Sequence, residues 1–202
     1  MLFLKHKTLA ILKKLLKFLS YYEYFNFKVR KINGPIDLLK NQAALESYEF
    51  LKSIKNKYFI CDSPNEIRKL VIEQINKDGY ILEFGVHKGN SINFFHQNLS
   101  FNKDKRKIYG FDSFRGLEED WHDYGSPKKR FNSNGKISFK IKNNIELIVG
   151  DIRETLSNFL EKNKPNIAFV HMDLDTYSIT KYTLEKIEKH LMPGAIILFD
   201  EF

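Results

Sequence analysis

Tyr80-Ile81-Leu82-Glu83-Phe84-Gly85-Val86-His87-Lys88-Gly89-Asn90-Ser91 is the stretch on which the reading of this chain turns. A short run of strand-forming residues leads into two glycines four apart, and Asn90 or Ser91 can then start a helix. That is the first half of a βαβ unit. The pattern repeats downstream, with strands expected at about 80–84, 107–111, 145–149, 167–172 and 195–199 and helices at about 90–99, 153–162 and 180–190. Strand alternating with helix predicts an α/β fold, a Rossmann-like and mostly parallel doubly wound sheet. The stretch 113–142, rich in Gly, Lys and Asp, reads as a mobile active-site loop.

Upstream of this core, Asp62-Ser63-Pro64 is a helix start, with Ile67, Leu70, Val71 and Ile75 as the buried stripe and Asp78-Gly79 as the stop. A second helix is expected at about 36–54 after the Gly34-Pro35 break, carrying Leu38, Leu39, Ala43, Ala44, Tyr48 and Leu51 and covering the core or a substrate cleft. Residues 2–20 form a basic amphipathic helix, with Leu4, Ile11, Leu12, Leu15, Leu16, Phe18 and Leu19 on one face and lysines between them. The expected organisation is a helical segment over 1–60 and one sheet domain over 61–202, of a size that buries a proper core.

The formal charge of +8 is unevenly placed: residues 1–31 carry +7 and the remainder is nearly neutral. A nearly neutral body argues against a nucleic-acid cleft. The N-terminal helix has two readings, docking on an anionic membrane surface or a partner, and packing on its own domain or on a second subunit of a homo-oligomer. Lys13, Lys14 and Lys17 interrupt it, whereas a membrane span needs about 20 uninterrupted apolar residues. No small-residue cleavage site follows it. Cys61 is the single cysteine, so no internal disulfide forms; a cytoplasmic protein, membrane-associated if the helix docks there, is expected.

Ligands of such sheets bind at the carboxyl ends of the strands. The 85–89 turn does not match the G-x-G-x-x-G of a dinucleotide site. Glu83 before a turn with Gly85 and Gly89 suits a ligand with an ammonium group and no pyrophosphate, and S-adenosylmethionine is such a ligand. Val86 and Ser91 belong to the same turn. The next strand ends Phe111-Asp112-Ser113, where Asp112 can take the ribose hydroxyls. Asp151, after Val149-Gly150, either accepts from an adenine amino group or caps the following helix.

Two strands end in paired acids, Asp173-Leu174-Asp175 and Asp200-Glu201. If neighbouring, these carboxylates repel one another and raise one another's pKa unless a cation joins them. Oxygen-only ligands favour Mg²⁺ or a similar hard ion over zinc. His171, on the buried strand, is read as structural rather than as a ligand.

The runs L-E-F-G-V-x-x-G-x-S at 82–91, Y-G-F-D-S-F-x-G-L at 109–117 with Trp121, G-D at 150–151, H-M-D-L-D-T-Y at 171–177 with Thr180, and P-G-x-I-I-L-F-D at 193–200 resemble the macrocin O-methyltransferase family of sugar methyltransferases. The resemblance implies a class I methyltransferase fold, S-adenosylmethionine as cofactor, and a Mg²⁺ site that holds two vicinal sugar hydroxyls. By the same resemblance Asp173, Asp200 and Glu201 match the metal ligands, Asp173 also bordering the cofactor, and Asp175 matches the general base. Glu201 stands where an Asp is frequent. Family members continue past the fifth strand and this chain stops at Phe202, so the sheet is expected to lack its last strands. The expected partner is a glycoside, natural product or surface glycan acceptor. The alternative is a non-catalytic cofactor-binding or scaffold protein.

Overall fold

The computed structural model describes residues 34–54, 61–76, 78–119 and 130–200. The N-terminal basic helix, Trp121 and Glu201 lie outside the described residues. The chain divides into two compact units, Met1–Ile60 and Cys61–Phe202. Within the first, helix α1 (Pro35–Ser53) starts with proline in its first turn and has no buried residue; Leu38, Leu39, Leu45 and Tyr48 are all exposed.

The second unit opens with α2 (Pro64–Gln74), started by Ser63, whose side chain accepts from the Glu66 N–H. Then follow β1 (Tyr80–Phe84), α3 (Asn90–Phe101), β2 (Ile108–Asp112), β3 (Ile145–Val149), α4 (Ile152–Asn163), β4 (Ile167–Met172), α5 (Tyr177–Ile187), a 3₁₀ turn (Glu188–His190) and β5 (Leu191–Phe199). Every strand pairing is parallel, in the order β3-β2-β1-β4-β5. The order reverses direction between β1 and β4, and that switch point opens the crevice where sheets of this kind bind ligands.

Both faces of the sheet are covered, which is why the strands read as apolar runs rather than alternating ones. One face packs Ile81, Ile108 and Phe169 against Ile72 of α2 and Ile92, Phe95 and Leu99 of α3. The other packs Leu82, Phe84, Phe111, Val170 and Met172 against Leu156, Phe159 and Leu160 of α4 and Ile187 of α5. Phe84 and Phe111 stack at 4.8 Å, and Phe159 stands edge-on to Phe111 at 5.3 Å. Such aromatic pairs add about 0.5–1.5 kcal/mol each beyond area burial.

Two element starts differ from the sequence reading by more than two residues. β5 begins at Leu191, four residues before its expected start, because an edge strand tolerates Pro193 and Gly194. The register against β4 shifts between Ile167 and Phe169, where that insertion sits. α5 begins at Tyr177 rather than 180, since Thr176 already holds the extended conformation of an N-cap. Among the described residues, no helix is long and apolar enough to cross a membrane.

Candidate active site

The strand register builds the site. Ile148, Phe111, Phe84, Met172 and Phe199 lie side by side across the sheet. One step further, the ladder continues through the N–H of Gly85 to Phe111 O, of Asp173 to Phe84 O and of Asp200 to Met172 O. Asp112, Gly85, Asp173 and Asp200 therefore stand in one row at the carboxyl edge. Two residues deeper along the strands, Glu83 stands beside His171. Because side chains alternate, Glu83, His171, Asp173 and Asp200 share a face.

A cavity of about 310 Å³ opens over this row. Gly85, Asp112, Ser113, Asp151, Asp173, Asp175 and Asp200 line it, as does His87, which the sequence reading did not single out. Gly85 has φ +88°, and a Cβ there would lie 1.7 Å from the Asp173 carbonyl oxygen. Only glycine lets β1 and the chain after β4 come this close.

Asp112 is held by the backbone: Val86 and His87 N–H groups donate to Oδ2 (2.9 and 2.6 Å) and Phe114 N–H to Oδ1 (2.6 Å). Three of about four acceptor positions are thus used, and the residue still lines the cavity. Asp151 does cap α4, accepting from the Arg153 N–H at 2.7 Å, and still borders the cavity. Asp175 adopts φ +59°.

Four residues expected at the cofactor, Glu83, Val86, Gly89 and Ser91, are buried and are not among those lining this cavity. Glu83 is fully buried, two residues before Gly85, and its Oε1 accepts from the Ser91 hydroxyl at 2.8 Å. Val86 packs in the core. Gly89 is the left-handed N-cap of α3, with the Phe139 ring against it.

The acidic end of the row is electrostatically loaded. Burial, and then the neighbouring Asp200 carboxylate, push the Asp173 carboxyl up to about 7. Asp200 is held below the usual carboxylate range chiefly by His171, against the opposing effect of burial, with Arg68 adding to the same direction. Arg68, on α2, donates to Asp200 Oδ1 at 2.7 Å. Nothing in the sequence marks it, because an arginine on an amphipathic helix looks like any solvated charge. Burial works against charge on His171, but Asp200, Glu83 and Asp173 outweigh it and hold the imidazole up at about 9.

Asp173, Asp200 and His171 can each place one donor atom within 4.8 Å of the others. Two carboxylates confined on one side of a cavity, one of them resisting ionisation, fit a hard divalent cation that keeps its remaining positions for water or substrate.

Residues 82–202 match a family described as a methyltransferase domain. No curated protein matches the chain. Among solved structures, the chain is similar to the apo form of CalS11, a TDP-rhamnose 3'-O-methyltransferase of calicheamicin biosynthesis, at 23% identity and a TM-score of 0.50, covering 84% of this chain and 80% of that one. It is also similar to the O-methyltransferase NovP, at 18% identity and a TM-score of 0.50, covering 68% and 64%. At these identities both likenesses bear on the fold.

Proposed function

Because the chain belongs to the methyltransferase domain family, we propose that it transfers the methyl group of S-adenosylmethionine to a sugar hydroxyl of a glycoside, natural product or glycan, with Mg²⁺ at the acidic end of the site. The observation that carries this reading is the single row of Asp112, Gly85, Asp173 and Asp200 under one cavity. In this reading Asp112 is the ribose-binding carboxylate at one end, and Asp173 and Asp200 are the cation-binding carboxylates at the other. Both solved neighbours are O-methyltransferases, one of them acting on a nucleotide-linked sugar, which agrees with a hydroxyl acceptor.

When bound, the cofactor supplies the methyl group and the cation makes an acceptor hydroxyl more acidic. Asp173 and Asp200, with Glu201 by family resemblance, would hold that cation. Asp112 would fix the ribose end and Phe111, Leu117, Ile152 and Ile179 would keep water from the cofactor, while Gly85 lets β1 close on the Asp173 backbone. Asp175 would act as the general base that takes the proton from the acceptor hydroxyl. The rest of the rate comes from holding oxygen and methyl in line.

A methyl-transfer screen over neutral glycosides and nucleotide sugars, run with Mg²⁺ and with EDTA, tests this. Transfer that stops on chelation supports the reading. Transfer indifferent to EDTA removes the cation, and tight cofactor binding without transfer to any glycoside favours a non-catalytic cofactor-binding protein.

A further inference from the structure

His171 is the polar residue whose place the apolar core does not explain. It is fully buried near the carboxyl end of β4, with the Phe95 ring edge-on at 5.1 Å. Nδ1 stands 3.5 Å from Glu83 Oε2, and Nε2 stands 3.6 Å from Asp200 Oδ1. Neither ring nitrogen has a closer partner, nor does Glu83 Oε2. Leaving buried polar atoms short of full hydrogen bonds costs about 1–3 kcal/mol per group. A leucine at 171 would fill the same slot without that cost, so packing alone is a poor account of the imidazole.

What the ring does reach is the carboxylate that ends the neighbouring strand. We propose that His171 is a positioning residue that, backed by Glu83, fixes the Asp200 carboxylate for the divalent cation. This rests on the cation site put forward under the proposed function. Glu83 is itself anchored by the Ser91 hydroxyl on α3, so the chain Ser91, Glu83, His171, Asp200 runs from a helix through two adjacent strands to the edge of the cavity. Arg68 reaches Asp200 from α2 on the same oxygen, Oδ1. Both contacts fall on Oδ1, so Oδ2 would be the oxygen left for the cation. A ligand carboxylate secured by outer partners is the usual arrangement at metal centres, and losing such a partner typically weakens metal affinity by about 10–100-fold.

The test uses Mn²⁺ as the probe, followed by its electron paramagnetic resonance, together with calorimetry of S-adenosylmethionine binding. His171→Gln carries an amide nitrogen where Nε2 stands and keeps the contact with Asp200; His171→Asn replaces only Nδ1 and keeps the contact with Glu83. Mn²⁺ affinity close to wild type in His171→Gln, with a loss of about 10–100-fold in His171→Asn and cofactor affinity unchanged in both, is the expected result. Equal Mn²⁺ affinity in the two variants overturns the proposal. So does loss of cofactor binding along with the metal, which makes His171 a packing residue, or a directly coordinated nitrogen in the wild-type Mn²⁺ spectrum, which makes it a ligand. If the wild-type protein binds no Mn²⁺ at all, the cation reading of the site falls and takes this role with it.

Discussion

Gly85→Ala tests the geometry of the site most directly. The added Cβ would stand 1.7 Å from the Asp173 carbonyl oxygen, and ordinary contact begins at 3.4 Å, so β1 and the chain after β4 must part by about 1.7 Å. An L-residue at φ +88° adds about 1–2 kcal/mol of backbone strain. Forcing the extra methyl into a packed site adds about 1–3 kcal/mol. A total near 3 kcal/mol lowers Tm by about 6–12 °C in a domain of this size. Since a displacement of about 1 Å at a reacting centre can cost about 100-fold, kcat/KM should fall by at least that factor, with cofactor affinity falling as well. Gly194→Ala is the internal control: φ is similar at +81°, but nothing lies within 4 Å of its Cβ, so it carries the strain without the clash. Thermal melts and cofactor calorimetry on both variants check the difference. Equal Tm losses in the two, or a Gly85→Ala enzyme within a few degrees and a few-fold of wild type, would show that Asp173 does not close on Gly85 as described.

Asp175→Asn should keep cofactor affinity and lose turnover, because asparagine tolerates the same positive φ and changes only the acceptor of the proton; an active variant removes Asp175 as the base, as read from calorimetry beside a methyl-transfer assay. Asp104 is 2.6 Å from Arg106, which also donates to the Asn76 and Gly79 carbonyls ahead of β1. Burial opposes the Asp104 charge, but bonding to Arg106 prevails and lowers its pKa below 3.8. A depressed carboxylate contributes stability above its unfolded pKa and loses it as pH falls through the folded one. Asp104→Asn should therefore lower Tm at pH 7 and make little difference near pH 2, and a constant offset across that range would contradict the pairing. Phe95, fully buried and edge-on to Phe169 and His171, should cost about 3–5 kcal/mol on truncation to alanine, read by denaturant unfolding; a loss under 1 kcal/mol would mean that the core closes over the gap.

What the sequence made legible is what strand periodicity controls. Each β-strand ends in its informative residue, so reading the ends of β1, β2, β4 and β5 was enough to list Gly85, Asp112, Asp173 and Asp200. A parallel register then places them in one row with no further information. The same periodicity explains why Glu83 does not line the cavity. A motif reads as contiguous letters, yet in a strand two residues is a full side-chain repeat, so Glu83 shares a face with the row above while lying one layer deeper, under Gly85. Arg68 escaped because its meaning depends on α2 packing beside β5, a contact across 132 residues of chain that no local pattern encodes. His171 falls between these cases. Its burial followed from its place in an apolar strand, whereas its tie to Asp200 became visible only when β4 and β5 were set side by side. The identities of the groups at the site are therefore written locally, and what holds them in place is written in the pairing.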